Sequence, residues 1–301
     1  METSTIKKSS NSCDGSPKMG VRASWPNNWS VQEEKMVNLR SALKRTANKF
    51  LGLAGFQVER LNNESHPVPH INQSSLASYL NWLELKHGLA CEVVFDIGAH
   101  VGAWSTDLAR ELTFEPQFFL FEPNSNHESH LQATGYPSFC ELLAESERWI
   151  DFYSINGTGD SIFRENSKYY EHVAPNRIYS RTLDSVCEEF DLPSPTLIKL
   201  DTQGSELAVL RGSPRTLPGV SLLYLECPFL RYNEGSPSLD QYIEYTSSIG
   251  FLPVGLFEVH ISNGVLVQVD ILFMSQNLFS RVNGEQSLAA ALLLQNPNRH
   301  C

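Results

Sequence analysis

Four acidic residues stand at the ends of four apolar runs: Asp96 after Val93, Val94 and Phe95, Glu122 after Gln117 to Phe121, Asp201 after Thr196 to Leu200, and Glu226 after Val220 to Leu225. Packing alone does not explain this placement, because a buried unpaired carboxylate costs several kcal/mol. In open α/β sheets ligands lie outside the carboxyl ends of the strands, so acids there meet ligand or solvent. The first acid opens the run DIGAHVGAW, which carries Gly98, Ala99 and Gly102. Gly98 allows a backbone angle that side chains disfavour, and Gly102 lets a ligand or strand approach the following helix closely. Glu122 falls roughly 25 residues after Asp96, about where an acid that binds ribose hydroxyls belongs in a dinucleotide-type unit.

The turn from Gly98 to Gly102 reads G-A-H-V-G and lacks the third glycine of G-x-G-x-x-G, the pattern that seats a pyrophosphate on a helix N-terminus. A ligand without phosphates is favoured over NAD. S-adenosylmethionine offers a ribose diol, an adenine and an amino acid end that can bond to the glycine turn. A generic strand, turn and helix is the plain alternative, and an NAD-dependent oxidoreductase is a further one. A membrane-helix reading of G-x-x-x-G fails, because no long apolar span surrounds it.

Lys199 lies two residues before Asp201 within the apolar run TLIKL, so the two share a strand face and the charge needs a partner. The pair either fixes the sheet as a buried ion pair or stands beside a methyl acceptor. In the second case Asp201 accepts the proton of a substrate hydroxyl, while Lys199 orients it or stabilises developing oxyanion charge. Methyl transfer from a sulfonium is an in-line displacement, so alignment supplies much of the rate and proton removal adds a modest term. His100, His127 and His172 are rival bases.

The elements that must position these residues alternate. Strands over 93–95, 117–121, 139–142, 149–155 and 196–200 precede one over 220–225, and two final strands, 251–257 and 265–273, suit an antiparallel pair. The segment 149–155 alternates as an edge strand should. Helices are expected over 73–87, over 183–190 with Thr182 as cap, from Gly204 and Glu206 to Gly212, and over 239–249. A short strand is expected at 177–180. Asn156 to Tyr170, with its glycines, polar residues and paired tyrosines, has the make-up of an active-site loop. The fold class is α/β, a mostly parallel seven-stranded sheet with helices on both faces and an N-terminal helical extension.

With 301 residues the chain can hold one large domain with extensions. The expected parts are a polar, basic tail over 1–29, a helical extension over 30–90, the main domain over 91–280 and a tail over 281–301. The net charge of −11 argues against a nucleic-acid partner. Nine of the 23 Lys and Arg fall in residues 1–50 against four acids, so the arm is basic and the body acidic. A helix over 31–51 with a basic face suits docking on the domain or, as an alternative, an anionic membrane surface. No secretory signal or spanning segment is seen, and the six cysteines lack paired ligand spacing, so no metal site is expected and a cytoplasmic protein follows, with organellar targeting as the alternative.

The motifs VVFDIGAHVG, FLFEPN, GTGDSIFREN, RTLDSV, IKLDTQGSELAVLRG and LYLEC, in this order over residues 93–229, resemble the FkbM-type S-adenosylmethionine-dependent methyltransferases. The resemblance implies a class I methyltransferase fold and O-methylation of a hydroxyl on a sugar, glycan or other small natural product. It implies that Asp96, Gly98, Ala99 and Gly102 hold the methionine end, Glu122 the ribose, and the segment at Ala144 the adenine. Asp160, Ser161 and Glu226 are the candidate acceptor contacts. Lys199, Asp201 and Glu206 match the family's K-x-D-x-E-G-x-E pattern and are the candidate catalytic residues, but Gln203 stands where a Glu is usual. That departure motivates a second reading, a non-catalytic S-adenosylmethionine-binding module.

Overall fold

The computed structural model describes residues 75–155, 157–284 and 286–287. The basic arm, the helix expected over 31–51 and most of the C-terminal tail lie outside the described residues.

Strand β1 (Val93–Ile97) is buried along its whole length, as its apolar run requires, and is an interior strand of a seven-stranded sheet. Its neighbours β2 (Gln117–Phe121) and β7 (Leu197–Leu200) are parallel to it. Beyond β2 lies β3 (Ser138–Phe139), and beyond β7 lie β8 (Leu222–Pro228), β10 (Val265–Ser275) and β9 (Phe251–Ser262). Only β10 runs against its neighbours, and it pairs antiparallel with both β8 and β9. The chain leaves β1 toward β2 and β3, then returns to β7 on the other side, so the order reverses between β1 and β7. That reversal opens a crevice at the carboxyl ends of the two strands.

Period-two alternation divides the strands between two apolar layers. Val93, Phe95, Ile97, Ile198 and Leu200 pack under α4 (Leu183–Glu189), α5 (Glu206–Arg211) and α6 (Leu239–Ser248). Val94, Phe118, Leu120 and Leu197 pack against α1 (Leu76–His87), α2 (Ala103–Glu111), α3 (Glu128–Thr134) and α7 (Gln276–Asn283). Thr182 caps its helix as expected, accepting the Ser185 N–H at 3.1 Å, and the helix expected from 73 starts after Ser75, which accepts the Ser78 N–H. Among the described residues no helix is long and apolar enough to cross a membrane.

The structure corrects two strand assignments. The expected strand over 139–142 is two pieces: Ser138–Phe139 closes the main sheet, while β4 (Leu142–Leu143) joins a separate three-stranded sheet. The expected edge strand over 149–155 is β5 (Arg148–Phe152), which belongs to that second sheet and pairs antiparallel with β6 (Asn176–Arg181). Alternation reports a half-buried strand but carries no record of its sheet. The outer face of the pair is held by Trp149 and Tyr179, opposite each other with ring centroids 5.6 Å apart.

Candidate active site

The strand ladder reaches past two of the four acids. Asp96 is the fourth residue of β1, fully buried in the layer under α2, and Glu226 is the fifth residue of β8, because β10 continues to pair with it through Asp270. Glu122 and Asp201 do follow the last residues of β2 and β7.

Asp96 is enclosed by protein. Its Oδ2 accepts from Ser105 Oγ at 2.7 Å, and its Oδ1 lies 3.0 Å from Lys199 Nζ on the adjacent strand. Lys199 also stands 3.4 Å from Asp201 Oδ2, donates to the Gly98 carbonyl at 3.2 Å, and lies under the Trp104 ring. Burial pulls its ammonium pKa down, but the Asp96 and Asp201 carboxylates outweigh that and hold it above the ordinary lysine value. One buried cation therefore ties the acid of β1, the glycine turn and the acid of β7 together.

The glycine turn is built by backbone. Gly98 has φ +77°, and a Cβ there would fall 1.9 Å from the Asp201 carbonyl oxygen, so no side chain fits. The Gly98 and Ala99 N–H groups both donate to the Phe121 carbonyl, at 2.9 and 3.1 Å. Gly102, φ +76°, faces Thr134, Leu120 and Leu131, where a Cβ would come within 2.8 Å of the Thr134 methyl.

A cavity of about 90 Å³ opens beside this turn, walled by Gly98, His100, Phe121, Glu122, Leu142, Leu143, Phe152, Asp160, Ser161, Asp201 and Thr202. Glu122 accepts the His100 N–H on one carboxylate oxygen and the Asn124 N–H on the other, both at 2.9 Å. Each oxygen keeps a lone pair for another donor. Burial pushes the Glu122 carboxyl up to about 7, against the two backbone N–H bonds that favour its charge. His100, at the unusual φ of +49°, stacks edge-on against His127 at 4.2 Å, and burial lowers the His127 pKa. Asp160 fastens the loop over the cavity: it accepts from Ser154 Oγ, the Ile155 N–H and Asn124 Nδ2. Ser161 donates to the Gln203 carbonyl at 2.9 Å.

A second, wider cleft of about 640 Å³ adjoins the cavity. Five carboxylates line it: Glu165, Asp201, Glu226, Glu258 and Asp270, with Tyr169, Tyr170, Gln203, His260 and Gln268. Burial, then repulsion by Asp201, raises Glu226, and the same two causes in the same order push Asp270 up to about 8. The Gln203 and Gln268 amides both donate to the Glu226 carboxylate. Asp201 is the one titratable side chain among the described residues that walls both cavities.

The structure thus brings Gly98, Glu122, Asp160, Ser161 and Asp201 to the cavity and Glu226 to the cleft. It keeps Asp96, Ala99, Gly102, Ala144, Lys199 and Glu206 behind the walls. Ala144 lies one residue beyond Leu143 and packs its carbonyl against Gly212, where a Cβ would fall 2.2 Å away. Glu206 is fully buried, accepts the Thr202 and Gly204 N–H groups at 2.8 and 3.1 Å, and takes the Tyr242 hydroxyl on its other oxygen. Its place is to hold the turn after Asp201 in shape. His172 lines neither cavity. Sequence reasoning missed the cleft acids Glu258 and Asp270 and the amides of Gln203 and Gln268 as a set, since they converge only through the β8–β10–β9 pairing.

The strand order β3–β2–β1–β7–β8–β10–β9 and the acid-lined crevice at its reversal define a class I methyltransferase domain. The family model "Methyltransferase FkbM domain" matches residues 96–253, and the chain belongs to that family. A relative, 2-O-methyltransferase NoeI of Sinorhizobium fredii (strain NBRC 101917 / NGR234), is 28% identical over 176 residues, which is 52% of this chain and 71% of the relative. Among solved structures, methyltransferase FkbM from Methylobacillus flagellatus KT aligns with a TM-score of 0.39 at 17% identity over 64% of this chain and 47% of that one, less than half its length. Magnesium protoporphyrin IX methyltransferase from Synechocystis PCC 6803 with bound SAM aligns at 0.39 and 9% identity over 66% and 76%.

Proposed function

We propose that this chain is an S-adenosylmethionine-dependent O-methyltransferase whose acceptor is a hydroxyl of a sugar, glycan or other small molecule. The observation that carries the reading is Asp201, shared by the walls of the closed cavity and the open cleft. The family membership supports methyl transfer, and the relative described as a 2-O-methyltransferase supports oxygen as the acceptor atom.

The cavity suits S-adenosylmethionine. Glu122 has free lone pairs for ribose hydroxyls, and Phe121, Leu142, Leu143 and Phe152 offer an apolar wall for adenine. Bound there, the cofactor supplies an electrophilic methyl group on a sulfonium sulfur. Asp201 would accept the proton of an acceptor hydroxyl held where cavity and cleft meet, as that oxygen took the methyl group and the carbon–sulfur bond gave way. Lys199 positions Asp201 from behind the wall.

Incubation with methyl-labelled S-adenosylmethionine and a panel of sugars, oligosaccharides and plant or microbial phenols tests the reading, with products analysed by mass spectrometry. The expected result is label in an alkali-stable methyl ether. Tight cofactor binding with no transfer to any hydroxyl acceptor would favour the non-catalytic module instead.

A further inference from the structure

Gln203 stands where a glutamate is usual in the pattern that the chain otherwise resembles, and the structure gives that substitution a place in the site. The residue has φ +55°, a left-handed conformation that a non-glycine residue adopts only when its surroundings hold it. Ser161 Oγ and Asn233 Nδ2 hold it by donating to its carbonyl at 2.9 and 2.7 Å. The bend delivers the side-chain amide between two carboxylates. Its Nε2 donates to Asp201 Oδ1 at 3.0 Å and to Glu226 Oε2 at 2.7 Å, while its Oε1 accepts from the Tyr232 hydroxyl at 3.2 Å. Ionised carboxylates only accept, so the amide nitrogen faces the two acids, and Gln203 Oε1 shares the single Tyr232 proton with Gln268 Oε1, which lies at 2.6 Å.

A carboxylate in the same position would face two others at hydrogen-bond distance, and such a cluster stays together only by holding a proton or a cation. The amide N–H groups stand in that bridging position. The ionisable groups that face Asp201 are Lys199 of β7 at 3.4 Å, Glu226 and Tyr224 of β8, Tyr232 in the loop that follows, and Asp270 of β10. Of these neighbours, Lys199 brings a positive charge and Gln203 an N–H donor to Asp201, and the acids bring like charge.

We infer that Gln203 is a positioning residue for proton removal: by bridging Asp201 and Glu226 with its amide it fixes the orientation of Asp201 and keeps that carboxylate ionised at the join of the two cavities. The inference deepens the reading of Asp201 as proton acceptor and rests on it. Gln203 thereby sets the pH range in which the acceptor hydroxyl is deprotonated.

The test is a carbon-13 carboxyl titration of the full chain labelled at aspartate, with the Asp201 signal assigned by its loss in Asp201→Asn. The unsubstituted chain is compared with Gln203→Glu, which keeps the shape and adds a charge, and with Gln203→Met, which keeps the size and removes the donors. The Asp201 midpoint is expected to rise by at least about one pH unit in Gln203→Glu and by a smaller step in Gln203→Met. Midpoints unchanged in both folded variants would overturn the inference. Methyl transfer by Asp201→Asn is the separate arm that tests the base itself: full activity there sinks the reading of Asp201, whereas the titration judges Gln203.

Discussion

Lys199 Nζ and Asp96 Oδ1 lie 3.0 Å apart on neighbouring strands whose register sets the two residues side by side. Their side chains are 5% and 0% exposed. Removing one partner strands the other charge in an apolar layer, so Lys199→Met is expected to destabilise the fold by about 3–5 kcal/mol. The double variant with Asp96→Asn should recover part of the loss. Guanidinium unfolding with a constant slope measures both, and a Lys199→Met cost below about 1 kcal/mol, the worth of a surface pair, would contradict the structural role.

On the proposed reading, Glu122 is expected to make cofactor affinity depend on pH. Its carboxyl is pushed up to about 7 from 4.5, so between those values the folded chain holds a proton that the unfolded chain has lost, and the contribution of this group to stability falls as pH rises through that window. Ribose hydroxyls donate to the ionised form, so S-adenosylhomocysteine should bind more tightly as pH passes upward through about 7. Glu122→Gln should flatten this dependence and weaken binding roughly ten- to a hundredfold, the loss of a hydrogen bond to a charged group. Calorimetric titrations from pH 6 to 8.5 decide the matter; an equal slope in both proteins would remove Glu122 from the binding site.

Two glycines with similar backbone angles should respond differently to alanine. Gly98→Ala sets a Cβ 1.9 Å from the Asp201 carbonyl oxygen, whereas Gly135, at φ +80°, has nothing within 4 Å. The expected costs are about 3 kcal/mol or more for Gly98→Ala and about 1 kcal/mol for Gly135→Ala. Thermal unfolding of the two variants should separate them, and equal melting points would show that the turn relaxes freely.

Asp201→Asn retains size and one acceptor oxygen but cannot take a proton at neutral pH. Methyl transfer should fall by a factor of about 10²–10⁴. S-adenosylhomocysteine affinity should stay within about twofold, because the proposed ribose contact is Glu122 and not Asp201. Single-turnover rates with labelled donor measure the first and calorimetry the second; an unchanged rate would discard Asp201 as the base.

The central sheet was legible because β1, β2 and β7 are short apolar runs closed by an acid and a turn, and two strand-like segments in succession near the end suited the antiparallel pair that they form. The second sheet was not, since Leu142 and Trp149 differ in no local way from residues that pair in the first. In the site, spacing located Glu122 and Asp201 but could not tell Asp96 from them. The difference is one of register: Asp96 sits opposite Lys199 inside the ladder, and Glu122 lies one residue beyond it. The cleft acids were illegible for a related reason, because Glu226 meets Asp270 only through strand pairing across 44 residues of chain.

The most direct test of the account is a crystal structure of the chain with S-adenosylhomocysteine. The account predicts the ribose hydroxyls on the Glu122 carboxylate, the adenine against Leu142, Leu143 and Phe152, and the sulfur facing Asp201 where cavity and cleft meet. A nucleoside bound elsewhere, or a Glu122 side chain turned away from it, would contradict the account.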